Sequence, residues 1–361
     1  MPPVATLWSV KNPMPRDALF DIKAYKAGAA APVDDMKLAS NENPFGPLPS
    51  VVEAITKEAQ RINRYPDPAV RELYALLANR FGLPETNFAI GAGSSTVLMN
   101  LIRVMCEPDD EVIYAWRSFE GYPLAVSLAD ARGVQVPLTD DGQHDLDAML
   151  KEITSVTKVI ILCSPNNPNG TIISSGEMFE FMEKVPSDVL VIFDEAYAEF
   201  VRESDAARGL SLFTSFNNVA VLRSFSKAHG LAGLRIGYTL APEAIAEAVR
   251  KVTAPFAVTN LAAHAAVASL NAQTELVDRV DQIVTERDRM VLALRTAGWE
   301  IPEPQGNFVW LDLGSRSAEF AQACVEVGLT VRLFADEGVR VSIGLPEAND
   351  VFLKIVQTGW V

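Results

Sequence analysis

One stretch of the chain decides its fold and its chemistry: Ser224-Phe225-Ser226-Lys227-Ala228-His229-Gly230-Leu231-Ala232-Gly233-Leu234-Arg235. It directly follows an apolar run that predicts a buried strand, Asn218-Val219-Ala220-Val221-Leu222. An amine that attacks a carbonyl must lose its proton near neutral pH, and burial and nearby cations favour that loss. Hydroxyls and a guanidinium are groups that bind a phosphate. A lysine in this company therefore suits pyridoxal 5'-phosphate.

Four other apolar runs also end in polar, turn-forming or aromatic residues. Two of them continue into Gly91-Ala92-Gly93-Ser94-Ser95 and into Trp116-Arg117-Ser118-Phe119. The other two continue into Ser164-Pro165-Asn166-Asn167-Pro168-Asn169-Gly170 and into Asp194-Glu195-Ala196-Tyr197. Short β-branched runs separated by helical stretches are typical of buried parallel strands, and open α/β sheets place their chemistry at the carboxyl ends of such strands. We therefore predict that five strand ends meet at one crevice.

Each strand end has a chemical interpretation and an ordinary one. The Gly91-Ala92-Gly93-Ser94-Ser95 segment leads into a helical pattern, so its amides can hold a phosphate; the alternative is a plain strand-to-helix turn. Asp194 needs a cation, such as a protonated pyridine nitrogen, unless it is only an N-cap. Asn167 can donate to the ring oxygen or simply form a turn. Phe119 can lie on the pyridine ring or belong to the core. The joint pattern favours a cofactor site.

Seven stretches along the chain carry a wider pattern: Ser40-Asn41-Glu42-Asn43-Pro44-Phe45-Gly46, Arg64-Tyr65-Pro66-Asp67, Ser164-Pro165-Asn166-Asn167-Pro168, Asp194-Glu195-Ala196-Tyr197, Ser226-Lys227 with Gly230-Leu231-Ala232-Gly233-Leu234-Arg235-Ile236-Gly237, Gly306-Asn307-Phe308-Val309-Trp310, and Val339-Arg340-Val341-Ser342-Ile343-Gly344. In these stretches the chain resembles the fold-type I pyridoxal phosphate aminotransferases, and most of all the histidinol-phosphate aminotransferase family. The resemblance runs from about residue 38 to the C-terminus. It implies an α/β fold with a large domain, whose mostly parallel central sheet is flanked by helices, and a smaller α/β C-terminal domain.

The resemblance also implies roles for single residues. Lys227 binds the aldehyde of the cofactor, and Asp194 pairs with its pyridine nitrogen. Tyr197 and Asn167 contact the ring hydroxyl, and Tyr197 counts with Lys227 and Asp194 among the catalytic residues. The remaining cofactor contacts surround the phosphate and the ring: Gly93, Ser94, Ser95, Phe119, Ser224, Ser226 and Arg235.

Three more residues are assigned by the same resemblance. Tyr65 reaches the cofactor phosphate of the neighbouring subunit, which implies a homodimer with shared active sites. Arg340 binds the carboxylate of the substrate, or the phosphate of histidinol phosphate, because a planar guanidinium meets either oxyanion in two places. Tyr25 and Asn167 are further substrate contacts.

The composition restricts the classes of protein. The chain has 361 residues, of which 49% are hydrophobic, so it can bury a large core. A formal net charge of -15 argues against nucleic acid or an anionic membrane as a partner. Cys106, Cys163 and Cys324 form no paired spacing, and we expect reduced thiols in a cytoplasmic protein. The three histidines have no metal-ligand spacing, and no apolar stretch approaches the roughly 20 residues of a membrane span.

The sequence predicts three regions: an N-terminal arm (1–45) that packs with the small domain, a large cofactor-binding domain (46–270) and a small domain (271–361). A helix is expected from Pro49 through Ile62, and a long helical region from about 260 to 297. Ser174-Ser175-Gly176-Glu177 predicts a capping box. Strands are expected in the small domain at Phe308-Val309-Trp310-Leu311, Thr330-Val331-Arg332-Leu333 and Val339-Arg340-Val341-Ser342.

The reaction expected is transamination between an aromatic amino acid, phenylalanine or tyrosine, and 2-oxoglutarate. The segments Trp116-Arg117-Ser118-Phe119-Glu120 and Gly306-Asn307-Phe308-Val309-Trp310 resemble the actinobacterial branch of aromatic amino acid aminotransferases. Aromatic residues near Tyr25, Phe119 and Tyr122 can line an apolar pocket, although ordinary core is the commoner role of any single aromatic residue.

Other activities remain open alternatives. One alternative substrate is histidinol phosphate. Its phosphate dianion would need extra cations, for which Arg117 and Arg332 are the candidates. A phosphothreonine-type decarboxylase is more remote, because Arg340 is suited to hold the carboxylate. A pyridoxal-phosphate-binding regulator would need a basic DNA-binding module that this acidic chain does not offer.

Overall fold

The computed structural model describes residues 13–14, 31–357 and 359–360. Within them, eleven strands form two sheets: β1 (Lys37–Leu38), β2 (Phe88–Gly91), β3 (Glu111–Trp116), β4 (Arg132–Pro137), β5 (Thr157–Cys163), β6 (Leu190–Asp194), β7 (Val219–Ser224), β8 (Gly237–Leu240), β9 (Phe308–Asp312), β10 (Thr330–Phe334) and β11 (Gly338–Ser342). The large sheet has the order β2-β8-β7-β6-β5-β3-β4. Strand β8 is antiparallel to both of its neighbours, and the other pairs are parallel. The mostly parallel central sheet is thus confirmed.

Twelve helices occur in the described residues: α1 (Pro49–Ala59), α2 (Arg71–Phe81), α3 (Ser94–Met105), α4 (Gly121–Leu128), α5 (Leu146–Lys151), α6 (Ser175–Met182), α7 (Gly209–Ser215), α8 (Glu243–Val252), α9 (Asn260–Asn271), α10 (Gln273–Thr296), α11 (Ser317–Glu326) and α12 (Pro346–Val356). The predicted capping box is present at the start of α6, where Ser174 and Glu177 bond each other's backbone amides.

One helix prediction was wrong in its extent. Helix α1 ends at Ala59, because tight turns replace the helical ladder there, and Ile62 lies beyond it with 72% of its surface exposed. The long helical region predicted from about 260 to 297 is confirmed, and it consists of two helices, because Ala272 has a ψ of 48° that turns the chain between α9 and α10. Neither Gly nor Pro marks this break in the sequence.

The small sheet has the order β1-β10-β11-β9 and contains all three strands predicted for the small domain. Strand β1 precedes all strands of the large sheet along the chain, and it pairs in parallel with β10. Strands β10 and β11 are antiparallel, with Arg332 opposite Arg340. The segment that follows β1 therefore starts next to the small sheet. The domain boundaries at 45 and 270 stay predictions.

The interior of the large sheet explains how charged groups come to lie deep in the molecule. All residues of β6 are buried, and so is nearly every residue of β5 and β7. Asp194 is the last residue of β6, so the strand carries its carboxylate to the edge of the apolar interior. In the part of the chain described above, no helix combines the length and the apolar character that a bilayer crossing needs.

Candidate active site

A cavity of about 410 Å³ lies at the carboxyl ends of β2, β3, β5, β6 and β7. The five strand ends predicted from the sequence therefore do meet at one place. Eleven residues that the sequence predicted as site residues line it: Ser94, Ser95, Phe119, Asn167, Asp194, Tyr197, Ser224, Ser226, Lys227, Arg235 and Arg340. Their contacts with one another define what this cavity can bind.

Lys227 lies three residues beyond β7, and its half-buried side chain lines the cavity. Its Nζ donates to the backbone carbonyl of Ser40, at 3.1 Å. Burial, and then the nearby guanidinium of Arg340, lower the pKa of Lys227 to about 7. A large fraction of the amine is therefore neutral near neutral pH, as a nucleophile or a proton acceptor requires.

Asp194 is a buried carboxylate that lines the same cavity. The Tyr122 hydroxyl donates to Oδ2 of Asp194 at 2.8 Å, and the amide of Ala196 donates to Oδ1 at 3.1 Å. Burial raises the pKa of Asp194 to about 6, and the hydrogen bond from Tyr122 opposes that rise. A cation placed beside the carboxylate would compensate its loss of hydration.

An anion cradle forms where α3 begins. Ser94 and Ser95 occupy the first turn of this helix, whose free amides and dipole attract negative charge. Gly93 precedes them with a φ of +90°, and a Cβ at that position would lie 2.4 Å from Nη2 of Arg235. Nη1 of Arg235 also reaches Oγ of Ser226, at 3.4 Å. A glycine is thus needed for the guanidinium to approach the helix terminus.

A third group of polar contacts lies on the small-sheet side. Arg340 donates to Oδ1 of Asn167 and, at 2.8 Å, to the carbonyl of Ala39. Asn41 donates to the hydroxyl of Tyr197 at 3.0 Å. Burial raises the pKa of Tyr197, so its hydroxyl stays protonated at neutral pH. This side offers a buried guanidinium to a carboxylate.

These three features fit pyridoxal 5'-phosphate in charge and in chemical type. The cradle at α3 suits its phosphate, and the Asp194 carboxylate suits a protonated pyridine nitrogen. The amine of Lys227 lines the same cavity and suits the aldehyde. Phe119 also lines the cavity, and its ring is held edge-on against that of Tyr122, with centroids 5.5 Å apart.

One predicted site residue, Tyr65, lies away from the cavity of its own chain. Tyr65 has 81% of its surface exposed and stacks on Phe256, with ring centroids 4.6 Å apart, outside the cavity of its own chain. Tyr25 lies outside the described residues. Of the two roles considered for Tyr122, pocket lining and ordinary core, the structure shows the core: its ring is fully buried and its hydroxyl bonds Asp194.

Sequence reasoning missed several functional contacts. It did not assign Ser40 and Asn41 any contact, although both lie in a stretch that carries the family resemblance. Tyr122 follows Phe119 by three residues, which is one helical turn, and that spacing was the available signal for its position beside the ring site. An apolar wall of the cavity was also missed, and it consists of Leu98, Met99 and Leu124.

The fold and the site together define a pyridoxal-phosphate-dependent enzyme of fold type I. The chain belongs to the family of class I and II aminotransferases, whose model matches residues 33–354. The members of this family use pyridoxal 5'-phosphate and transfer amino groups. The resemblance stated from the sequence, the cofactor and the enzyme class are thereby confirmed.

Several known proteins are similar to this chain over almost their whole length. An aromatic amino acid aminotransferase of Streptomyces coelicolor is 51% identical over 350 residues, which cover 96% of this chain and 98% of that one. Another from Thermobifida fusca is 50% identical over 351 residues, with the same coverage. The solved histidinol-phosphate aminotransferase of Sinorhizobium meliloti, in complex with pyridoxal-5'-phosphate, is 27% identical, with a TM-score of 0.84 and 98% of each chain covered.

Proposed function

We propose that this aminotransferase moves an amino group between an aromatic amino acid, phenylalanine or tyrosine, and 2-oxoglutarate. The observation that carries the proposal is the cavity itself, in which the Lys227 amine, the Asp194 carboxylate and the Arg340 guanidinium lie together with the apolar side chains of Leu98, Met99 and Leu124. Relatives about 50% identical over nearly their full length are named aromatic amino acid aminotransferases.

Lys227 moves the proton in the proposed reaction. When bound, the cofactor supplies an electron sink that stabilises the carbanion of the substrate. The neutral amine of Lys227 accepts the α-proton of the amino donor and later returns a proton, which a lysine with a pKa near 7 does readily in either direction. The carbonyl of Ser40, 3.1 Å from Nζ, fixes the amine in the cavity.

The other polar groups orient and hold the cofactor and the amino donor. Asp194 keeps the heterocycle protonated, and the Tyr122 hydroxyl keeps Asp194 ionised. The cradle of Ser94, Ser95 and Arg235 binds the phosphate. Arg340 binds the carboxylate of the amino donor in two places, and this favours transamination over decarboxylation, because the carboxylate stays held while the α-proton leaves.

The apolar wall is proposed to take the side chain of the donor. Leu98 and Met99 on α3 and Leu124 on α4 present aliphatic groups and a thioether to the cavity. Such surfaces favour an aromatic ring, since burial of apolar area contributes roughly 25 cal/mol per Å². A thioether beside a ring adds a favourable contact.

Three further features are proposed for the assembled enzyme. It forms a homodimer, in which the exposed ring of Tyr65 reaches the cofactor phosphate of the partner subunit. It divides into the arm, the large domain and the small domain with the boundaries predicted above. It resides in the cytoplasm, for which the support is the expectation of reduced thiols from the cysteine spacing.

The proposal is tested by single half-reactions. The absorbance of the protein-bound cofactor is followed after addition of phenylalanine, tyrosine, histidinol phosphate or phosphothreonine, each in a separate experiment. We expect phenylalanine and tyrosine to convert the cofactor to its amino form with the highest kcat/KM. A preference for histidinol phosphate would contradict the aromatic assignment, and carbon dioxide release from phosphothreonine would contradict transamination.

The shared active site has its own test, which mixes two inactive proteins. Lys227→Ala removes the amine from one site, and Tyr65→Ala removes the ring that serves the partner's site. A mixed dimer of the two variants contains one site with both native residues. We expect activity to return after subunit exchange, and light scattering to give twice the chain mass. No recovery in mixed dimers would contradict the proposed role of Tyr65.

A further inference from the structure

The two arginines that the sequence offers for a phosphate group are both paired with carboxylates. Arg332 on β10 donates from Nε and Nη2 to Oε2 of Glu120, at 3.1 and 2.5 Å. Arg117 donates from Nε to Oε2 of Glu337 at 2.7 Å, and its Nη2 pairs with the other carboxylate oxygen. Each guanidinium is therefore matched by one negative charge.

Both pairs lie close to Arg340, which lines the cavity. The guanidinium carbons of Arg117, Arg332 and Arg340 lie 5.4, 5.8 and 6.0 Å from the ring centroid of Phe334. Arg332 also faces Arg340 across the β10–β11 pair, so their side chains share one face of the small sheet. Three cationic groups thus cluster beside the cavity that Arg340 lines.

The two carboxylates come from different parts of the chain. Glu120 lies between Phe119 and Gly121, both of which line the cavity, and Glu337 lies in the turn between β10 and β11. The side chains of Glu120 and Glu337 are 29% and 38% exposed, so water only partly screens their charge. The two ion pairs therefore place two negative charges beside the three guanidinium groups.

We propose that Glu120 and Glu337 are specificity-determining residues that disfavour amino donors bearing a phosphate monoester. The inference rests on the proposed function, since it concerns the choice among amino donors. A phosphate monoester carries about -1.5 to -2 charges at pH 7. When it binds to the guanidinium groups of Arg117 and Arg332, it must either displace their carboxylate partners or lie close to them, and both are unfavourable. A donor with a neutral aromatic side chain leaves both ion pairs in place, while Arg340 binds the α-carboxylate of the donor.

The test compares two amino donors in four proteins. The kcat/KM values for histidinol phosphate and for phenylalanine are measured with wild type, Glu120→Gln, Glu337→Gln and the double variant. We expect the ratio of histidinol phosphate to phenylalanine to rise about tenfold in each single variant, equivalent to about 1.4 kcal/mol, and further in the double variant. The gain should shrink at high ionic strength, because charge carries it.

Glu247→Gln is the matched control. It removes one negative charge from an ion pair with Lys251 on α8, outside the cavity lining, and should leave the ratio unchanged. Thermal unfolding of every variant shows that it is folded.

The outcomes separate this inference from the proposed function. Suppose that wild type prefers phenylalanine and that the ratio of the kcat/KM values stays constant in the variants, either because neither value changes or because both fall equally. The inference is then overturned and the proposed function stands. If wild type prefers histidinol phosphate, both are overturned.

Discussion

The hydrogen bond from Tyr122 to Asp194 has a measurable effect on cofactor binding. The Tyr122→Phe variant removes a hydroxyl that lies 2.8 Å from Oδ2 of a buried carboxylate and leaves the ring in place. A hydrogen bond to a charged group contributes about 1.5–3 kcal/mol. Since about 1.4 kcal/mol corresponds to one pH unit, the variant raises the pKa of Asp194 by about one to two pH units above its value of about 6.

The sign of the pH dependence follows from the charge that the cofactor requires. A protonated heterocycle binds the ionised form of Asp194, so the cofactor-free protein must release a proton from Asp194 whenever the pH is below its pKa. At pH 9 the carboxylate is ionised in both proteins, and we expect equal dissociation constants. At pH 5 we expect the variant to bind pyridoxal phosphate about ten- to a hundredfold more weakly than wild type.

The assay is a fluorescence titration of cofactor-free protein with pyridoxal phosphate between pH 5 and 9. The cofactor's own protonations are common to both proteins, so the ratio of their dissociation constants isolates the protein groups. Tyr114→Phe is the matched control: its hydroxyl is also buried, bonds Gln135 at 3.2 Å and lies next to Tyr122. A ratio that is the same at every pH would refute the reasoning, because it would indicate general loosening of the site.

Four more outcomes are expected. Lys227→Ala should abolish transamination and the visible absorbance of the lysine-bound cofactor; normal turnover would contradict its role. In wild type the rate of the first half-reaction should rise from pH 6 to 8, because burial lowers the pKa of Lys227 to about 7, and stopped-flow absorbance would show a flat profile if this is wrong. Gly93→Ala should weaken cofactor binding about tenfold in an equilibrium titration, since its Cβ would displace Arg235, whereas Gly233→Ala, with open space around it, should not. Arg340→Lys should raise KM for phenylalanine about tenfold through loss of two-point binding, and an unchanged KM in steady-state assays would remove Arg340 from the substrate site.

The strand ends could be predicted because their signals are local. An apolar run followed by Ser, Asn, Asp or Gly is visible within about ten residues, and this predicted the positions of Asp194 and Lys227 at the cavity. Strand β8 was not predicted as a strand. Its four residues, Gly237-Tyr238-Thr239-Leu240, include a glycine and a threonine, so it lacks the continuous apolar run that marks the predicted strands of the large sheet.

The missed contacts depend on partners far apart in the chain. Lys227 meets Ser40 across 187 positions, and Arg332 meets Glu120 across 212. No periodicity or spacing reports such pairs, because they exist only once the two sheets are assembled. For the same reason the sequence offered Arg117 and Arg332 as cations for a phosphate and did not reveal that carboxylates neutralise them.

The pairing of β1 with β10 has a consequence for the order in which the enzyme is made. Strand β1 leads directly to Ser40 and Asn41, which contact Lys227 and Tyr197, yet its only strand neighbour in the described residues begins at Thr330. During synthesis on the ribosome, about nine tenths of the 361-residue polypeptide must emerge before this segment can dock. The nascent protein therefore completes its catalytic pocket at the very end of translation, and any chain that terminates before Thr330 leaves it unfinished.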